Sequence, residues 1–184
     1  MKSFVICFFL CVVLPVVGRS QDKFYTKSGR ISFYSATAME HIEAVNKTVT
    51  CVIDTKTGDV QFAVLMKGFE FRKALMQEDF NDAYVESSKY PRSTFKGKMV
   101  NNTEINYGVN GTYAVKATGV LQLHGVSEEI VVPGTITVAD GKMRLNAEFD
   151  ILLTDYKIAV PALVRDKISK SIKITIQCSL DPLQ

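Results

Sequence analysis

The chain has 184 residues, 47% of them hydrophobic and 22% charged, with 22 Lys and Arg against 19 Asp and Glu. That length fits one domain with a sizeable core. A formal net charge of +3 with no compact run of Lys and Arg gives no broad field for a phosphate backbone, which argues against nucleic acid as a partner.

Residues 1 to 20, MKSFVICFFLCVVLPVVGRS, set Lys2 before an apolar stretch from Phe4 to Leu14, then the breaker Pro15 and the small residues Gly18 and Ser20. This is the pattern of a secretory signal peptide. The apolar run is shorter than the ~20 residues a spanning helix needs. Cleavage after Ser20 leaves a domain of residues 21 to 184, expected in the periplasm or outside the cell. That domain keeps Cys51 and Cys178, which allow one bridge in an oxidising compartment. Buried free thiols are the other reading, and the spacing excludes a CxxC redox centre.

The following residues are written largely in period two, the repeat of a strand with two unlike faces. Ile31, Phe33 and Ser35 alternate with Ser32, Tyr34 and Ala36 in the first predicted strand. The second runs from Thr48 to Asp54 and the third from Asp59 to Lys67, joined by a short turn into a hairpin. The alternation stops over Lys73 to Asn81, where Leu75, Met76, Asp79 and Phe80 recur at helical spacing. A short helix is expected there, one face covering an opening of the sheet, ended before Tyr90-Pro91. Strands resume over 92–101, 111–124, 128–139, 142–153 and 171–178, punctuated by Gly108, Gly111, Gly125 and Asp140-Gly141.

Ala147, Phe149 and Ile151 form one apolar face, opposite Asn146, Glu148 and Asp150. That contrast fits an antiparallel wall rather than a helix-covered parallel sheet. Thr154 to Lys170, interrupted by Pro161, reads as an irregular crossing whose Ile158, Val160, Leu163 and Val164 close one end. The expected fold is therefore all-β: an antiparallel lipocalin-like β-barrel of about eight strands with a short capping helix. Eight strands enclose an interior that either fills with side chains or holds one small ligand.

Sites for chemistry are sparse. His41 and His124 are the only two histidines, and neither belongs to a metal-binding motif. His124 reads as a satisfied residue at a strand end, and no glycine-flanked nucleophile or paired acids accompany it. No catalytic or metal-ligating residue is expected, and the protein is read as not an enzyme. Asn46, Asn101 and Asn110 begin glycosylation sequons, relevant only in a glycosylating host.

Two stretches carry a family likeness. Met76 to Gly97, MQEDFNDAYVESSKYPRSTFKG, and Gly119 to Val126, GVLQLHGV, together resemble the signatures of the YceI-like family, and Gly29 to Phe33 fits its first strand less specifically. The likeness covers about residues 24 to 179. It implies a lipocalin-like barrel of exported bacterial proteins whose members hold a polyisoprenoid or related amphiphilic lipid. Carried onto this chain it makes Phe80, Tyr84, Tyr90 and Phe95 wall or closure residues.

Strand aromatics Phe62, Tyr113 and Phe149 complete the candidate ligand wall, with Lys73, Glu78, Asp79 and His41 as rim candidates. The expected function is sequestration or transfer of an isoprenoid-like lipid, a quinone or a fatty-acid-like chain, with transient membrane contact. The alternative is a barrel packed shut and used as a protein-interaction or envelope stress-response module.

Overall fold

The computed structural model describes residues 22–183; the leader read at residues 1 to 20 lies outside them. Eight long strands pair antiparallel in sequence: β1 (Lys23–Ala36), β2 (His41–Asp54), β3 (Asp59–Leu65), β5 (Arg92–Met99), β6 (Gly111–Leu123), β7 (Val126–Ala139), β8 (Lys142–Leu152) and β9 (Ser171–Pro182). β1 pairs with both β2 and β9, so the sheet closes on itself. The two-residue β4 (Glu70–Phe71) adds to β2 beside Ala44 and Val45, continuing the edge that β3 leaves at the turn Met66–Gly68. The expected barrel and its capping helix are both present.

Alternation does the folding. In β3, Val60, Phe62 and Val64 are buried while Asp59, Gln61, Ala63 and Leu65 are exposed, and β8 repeats this with Met143, Leu145, Ala147 and Ile151. The first two strands begin earlier than their pattern announced, at Lys23 and His41. In β1 the register shifts between Thr26 and Gly29 and again before Ile31, so the period breaks there. In β2 the inward position before Val49 is a polar residue, Asn46, fully buried. Its amide donates to the Leu65 carbonyl at 2.8 Å and its Oδ1 accepts from Thr48 N at 2.9 Å. That engagement removes Asn46 from the sequon's usual exposed role.

The connections sort by end. One end carries the hairpin turns after β2 and β7, with the 100–110 loop, and it is packed solid: Phe24, Ile105, Ile136, Met143 and Leu180 are all buried there. Tyr107 plugs it, donating to Asn102 Oδ1 at 2.7 Å, and burial pushes its phenol up to about 12. The other end, called the mouth below, collects the 37–40 loop, the helical segment, the Leu123–Val126 turn and the 153–170 crossing.

Inward positions on one wall are small. Gly97 and Gly119 face each other across β5 and β6, and a Cβ on Gly119 would lie 2.3 Å from the Gly97 Cα. Only glycine permits that approach. Ala117, Gly134 and Ala147 extend the run of small residues across β6, β7 and β8. At Gly97 the Phe95 ring takes the space a side chain would fill, whereas Ala117, Gly134 and Ala147 border an interior that is left hollow.

Candidate ligand-binding site

A cavity of about 460 Å³ opens from the mouth into the barrel, within the ~300–1,000 Å³ range of small-molecule sites. Its wall is aliphatic and aromatic. The interior hydroxyls at its edge are already engaged: Ser35 Oγ accepts from Ser169 N at 2.9 Å, and Ser93 Oγ donates to the Gln122 carbonyl at 2.8 Å. Four charged residues border the space, Glu40, Lys73, Asp79 and Lys167, all on mouth segments. The enclosed part of a ligand therefore meets hydrocarbon, and charge meets it only at the entrance.

The lid is α1 (Ala74–Asp79) running into a π-helical turn, Phe80–Tyr84. Leu75, Met76, Asp79 and Phe80, the face expected from helical spacing, all border the cavity. Phe80 sits in an aromatic cluster, its ring centroid 5.4 Å from Phe33, 5.6 Å from Phe69 and 5.1 Å from Phe71. Such pairs contribute ~0.5–1.5 kcal/mol each beyond area burial, so the lid is held by rings rather than by backbone. π-helical turns occur often at functional sites.

Lys73 tethers the lid to the 37–40 loop through a 2.9 Å ion pair with Glu40. The hydrogen bond and charge of Lys73, aided by Lys167, hold the Glu40 carboxyl below its ordinary value. A depressed carboxyl contributes above its unfolded pKa and loses that contribution as pH falls through the folded one. Release of a bound apolar ligand is expected to be level at neutral pH and to quicken only in acid, below the ordinary carboxylate range. Stopped-flow release across pH checks this: Lys73→Met should release faster throughout and lack the step, and an unaltered step would remove the tether from the account.

Five of the seven predicted wall residues, Phe62, Phe80, Tyr84, Phe95 and Phe149, border the cavity. Burial, then Asp79, pushes the Tyr84 phenol upward. Tyr90 and Tyr113 are not on the wall, and the assignment is corrected for both. Tyr90 turns outward, edge-on to His124 with centroids 4.8 Å apart, and covers Gly125. Tyr113 lies by the closed end, its hydroxyl donating to the Val109 carbonyl at 3.3 Å.

Of the rim candidates, Lys73 and Asp79 border the opening. Glu78 does not, and His41 lies in a second recess with Tyr34, Glu43 and Arg72, which Lys73 and Met76 share with the cavity. Leu163 of the crossing points away, while Ile158 and Val164 border the cavity as expected. Phe33, Glu40 and Lys167 escaped the sequence reading as site residues. Only Phe33 left a signal, in phase with Ile31 and Ser35.

A second feature closes the mouth corner. His124 Nδ1 lies 3.0 Å from the Tyr156 carbonyl and Nε2 2.8 Å from Glu86 Oε2. One ring thus joins the lid's exit, the β6–β7 turn and the crossing. Glu86, His124 and Lys157 here have φ of 45°, 50° and 55°, left-handed values unusual without glycine. Tyr156 is buried beside them, its phenol pushed up to about 12 by desolvation first and by Glu128 and Asp155 next. Among the described residues no three His, Cys, Asp or Glu side chains converge as a metal set.

The two signature stretches meet at this bond, since Glu86 belongs to the first and His124 to the second. A family model described as the YceI-like domain matches residues 18–180. The chain belongs to the YceI-like family. Comparison with curated protein sequences finds no significant match. Among solved structures, the YceI-like barrel is similar to a polyisoprenoid binding domain from Saccharophagus degradans, at 14% identity and TM-score 0.76 over 88% of this chain and 99% of that one. It is also similar to BcnA of Burkholderia cenocepacia, at 15% identity and TM-score 0.67 over 83% and 95% of the two chains. A YCEI protein of Campylobacter jejuni matches at 16% identity and TM-score 0.58, covering 100% of both. These likenesses concern the fold.

Proposed function

We propose that this YceI-like barrel binds and carries an isoprenoid-like lipid, a quinone, polyprenyl compound or fatty-acid-like chain, without catalysing a reaction. The supporting observation is the hollow apolar interior with charge confined to its mouth. Each CH₂ taken from water contributes ~0.8 kcal/mol, so ten enclosed carbons contribute roughly 8 kcal/mol before association and ordering costs. The structural neighbour described as polyisoprenoid binding agrees with this reading. Catalysis finds no support at His124, whose two ring nitrogens already face Glu86 and the Tyr156 carbonyl.

The signal-peptide pattern of residues 1 to 20 supports a site of action in the periplasm or beyond, where an oily chain needs shelter between membranes. Met39, Leu75 and Leu163 are the most exposed large apolar side chains among the described residues, at 66%, 68% and 94%, and all lie on mouth segments. They are suited to transient contact with a bilayer. Leu75 also borders the cavity, giving a lipid an apolar step from outside to inside.

Mass spectrometry of lipid extracted from the purified protein, against the surrounding membrane extract, tests the reading. A selectively enriched long-chain lipid near one per protein is expected. A lipid-free protein that takes up neither quinones nor polyprenols would overturn it. Phe80→Ala removes three ring contacts and is expected to raise the lipid off-rate by roughly 10–100-fold, at ~1.4 kcal/mol per decade. Its far-ultraviolet circular dichroism should match the parent, and an unchanged off-rate would detach the lid from retention.

A further inference from the structure

β1 separates β2 from β9, yet these two outer strands approach each other on the inner side of β1. Gly29 is the reason. It sits between two register shifts, and a Cβ there would meet Cys178 Sγ at 2.6 Å, the Val49 carbonyl oxygen at 3.1 Å and Thr26 Cγ2 at 3.4 Å. The missing side chain leaves the space into which the Cys178 sulfur projects from β9. Cys51 comes from β2, opposite that same Thr26 in register. Both thiols are free in this structure. Both are buried, and neither borders the lipid cavity.

The geometry points to a disulfide between Cys51 and Cys178 that staples β2 to β9 across Gly29 under oxidising conditions. This goes beyond lipid binding and does not rest on it. The bond joins the second strand of the barrel to the last, next to the seam where β1 closes the sheet, and its loop runs from β2 through every later strand to β9. Long loops lose the most chain entropy when cross-linked in the unfolded state.

Either thiol, as its thiolate, displaces one sulfur of a disulfide oxidant, forming a mixed disulfide and releasing a thiol. The other cysteine then gives up its proton and attacks the protein sulfur of that mixed disulfide, releasing the second thiol. Two electrons and two protons pass to the oxidant, which leaves as two thiols. Burial shields both sulfurs in the closed barrel, so the exchange belongs to folding, before β9 docks.

The test takes the full chain, denatured and refolded with mixed reduced and oxidised glutathione. Free thiols are alkylated in denaturant and the peptides mapped, which separates this pair from Cys7 and Cys11. A Cys51–Cys178 peptide in nearly all molecules is expected, with reduction at least ~100-fold slower for folded than for denatured protein. The melting temperature should fall by roughly 10 °C once the bond is reduced, and the double variant Cys51→Ser/Cys178→Ser should melt with the reduced protein. Separate alkylation of both cysteines in natively refolded protein would overturn the bridge, and equal melting of oxidised and reduced protein would overturn the staple. If the double variant does not refold, the mapping on the parent still decides.

Discussion

Replacing Ala117 with tryptophan is expected to weaken lipid binding by at least ~100-fold while the barrel stays folded. Ala117 points inward from β6, paired with Met99 on one side and Val132 on the other, and all three border the cavity. It is only half-buried despite facing inward, because its neighbour is the open interior. An indole there occupies space that a lipid chain would otherwise fill. Excluding four or five CH₂ groups costs about 3–4 kcal/mol at ~0.8 each, which is a factor of several hundred.

The fold bears the change because the added atoms enter space rather than packed neighbours. A stability change within about 1 kcal/mol is expected, unlike the ~1–3 kcal/mol of overfilling a dense core. Displacement of a fluorescent fatty acid, together with chemical denaturation, reads both quantities. Full lipid uptake by a folded Ala117→Trp protein would place the ligand somewhere other than this cavity.

Removing the His124 ring is expected to cost about 3 kcal/mol. With a proton on each ring nitrogen, since both partners accept, the bond to the half-exposed Glu86 carboxylate is taken at ~1.5 and the one to the Tyr156 carbonyl at ~1, with ~0.5–1 for the Tyr90 edge contact. For a chain of this size His124→Ala should then melt roughly 6–12 °C lower. Lipid should also leave faster, since three mouth segments lose their common partner.

Backbone and ring contributions separate in a second variant. The left-handed conformation at His124 costs a non-glycine residue ~1–2 kcal/mol. Alanine keeps that cost and loses the ring, whereas glycine loses the ring and is relieved of the cost. His124→Gly should therefore be more stable than His124→Ala by about 1 kcal/mol. The reverse order, or a loss under 1 kcal/mol in alanine, would show that the corner is held by something other than this ring.

What was legible beforehand was what local geometry dictates. A strand sends successive side chains to opposite faces, so Ala147, Phe149 and Ile151 announced an inward face without reference to any partner. A helix returns to the same face every three or four residues, so Leu75, Met76, Asp79 and Phe80 announced a covering face. Turn chemistry at Asp140-Gly141 announced a hairpin because glycine relieves a positive φ, here 73°.

Closure decided the rest. Whether eight alternating walls press together or stand apart depends on which small residues meet across strands, and Ala117, Gly134 and Ala147 come to line one hollow only through pairing. Tyr90 and Tyr113 had the right chemistry for a wall, but the turn into β5 carried one ring outward and the start of β6 set the other at the closed end. Glu86 and His124, 38 residues apart, follow no helical or strand spacing that could have joined them. Local periodicity determined the faces of this protein; the hollow, the clamped corner and the meeting of Cys51 with Cys178 arise from contacts that exist only after distant strands are bent into one ring.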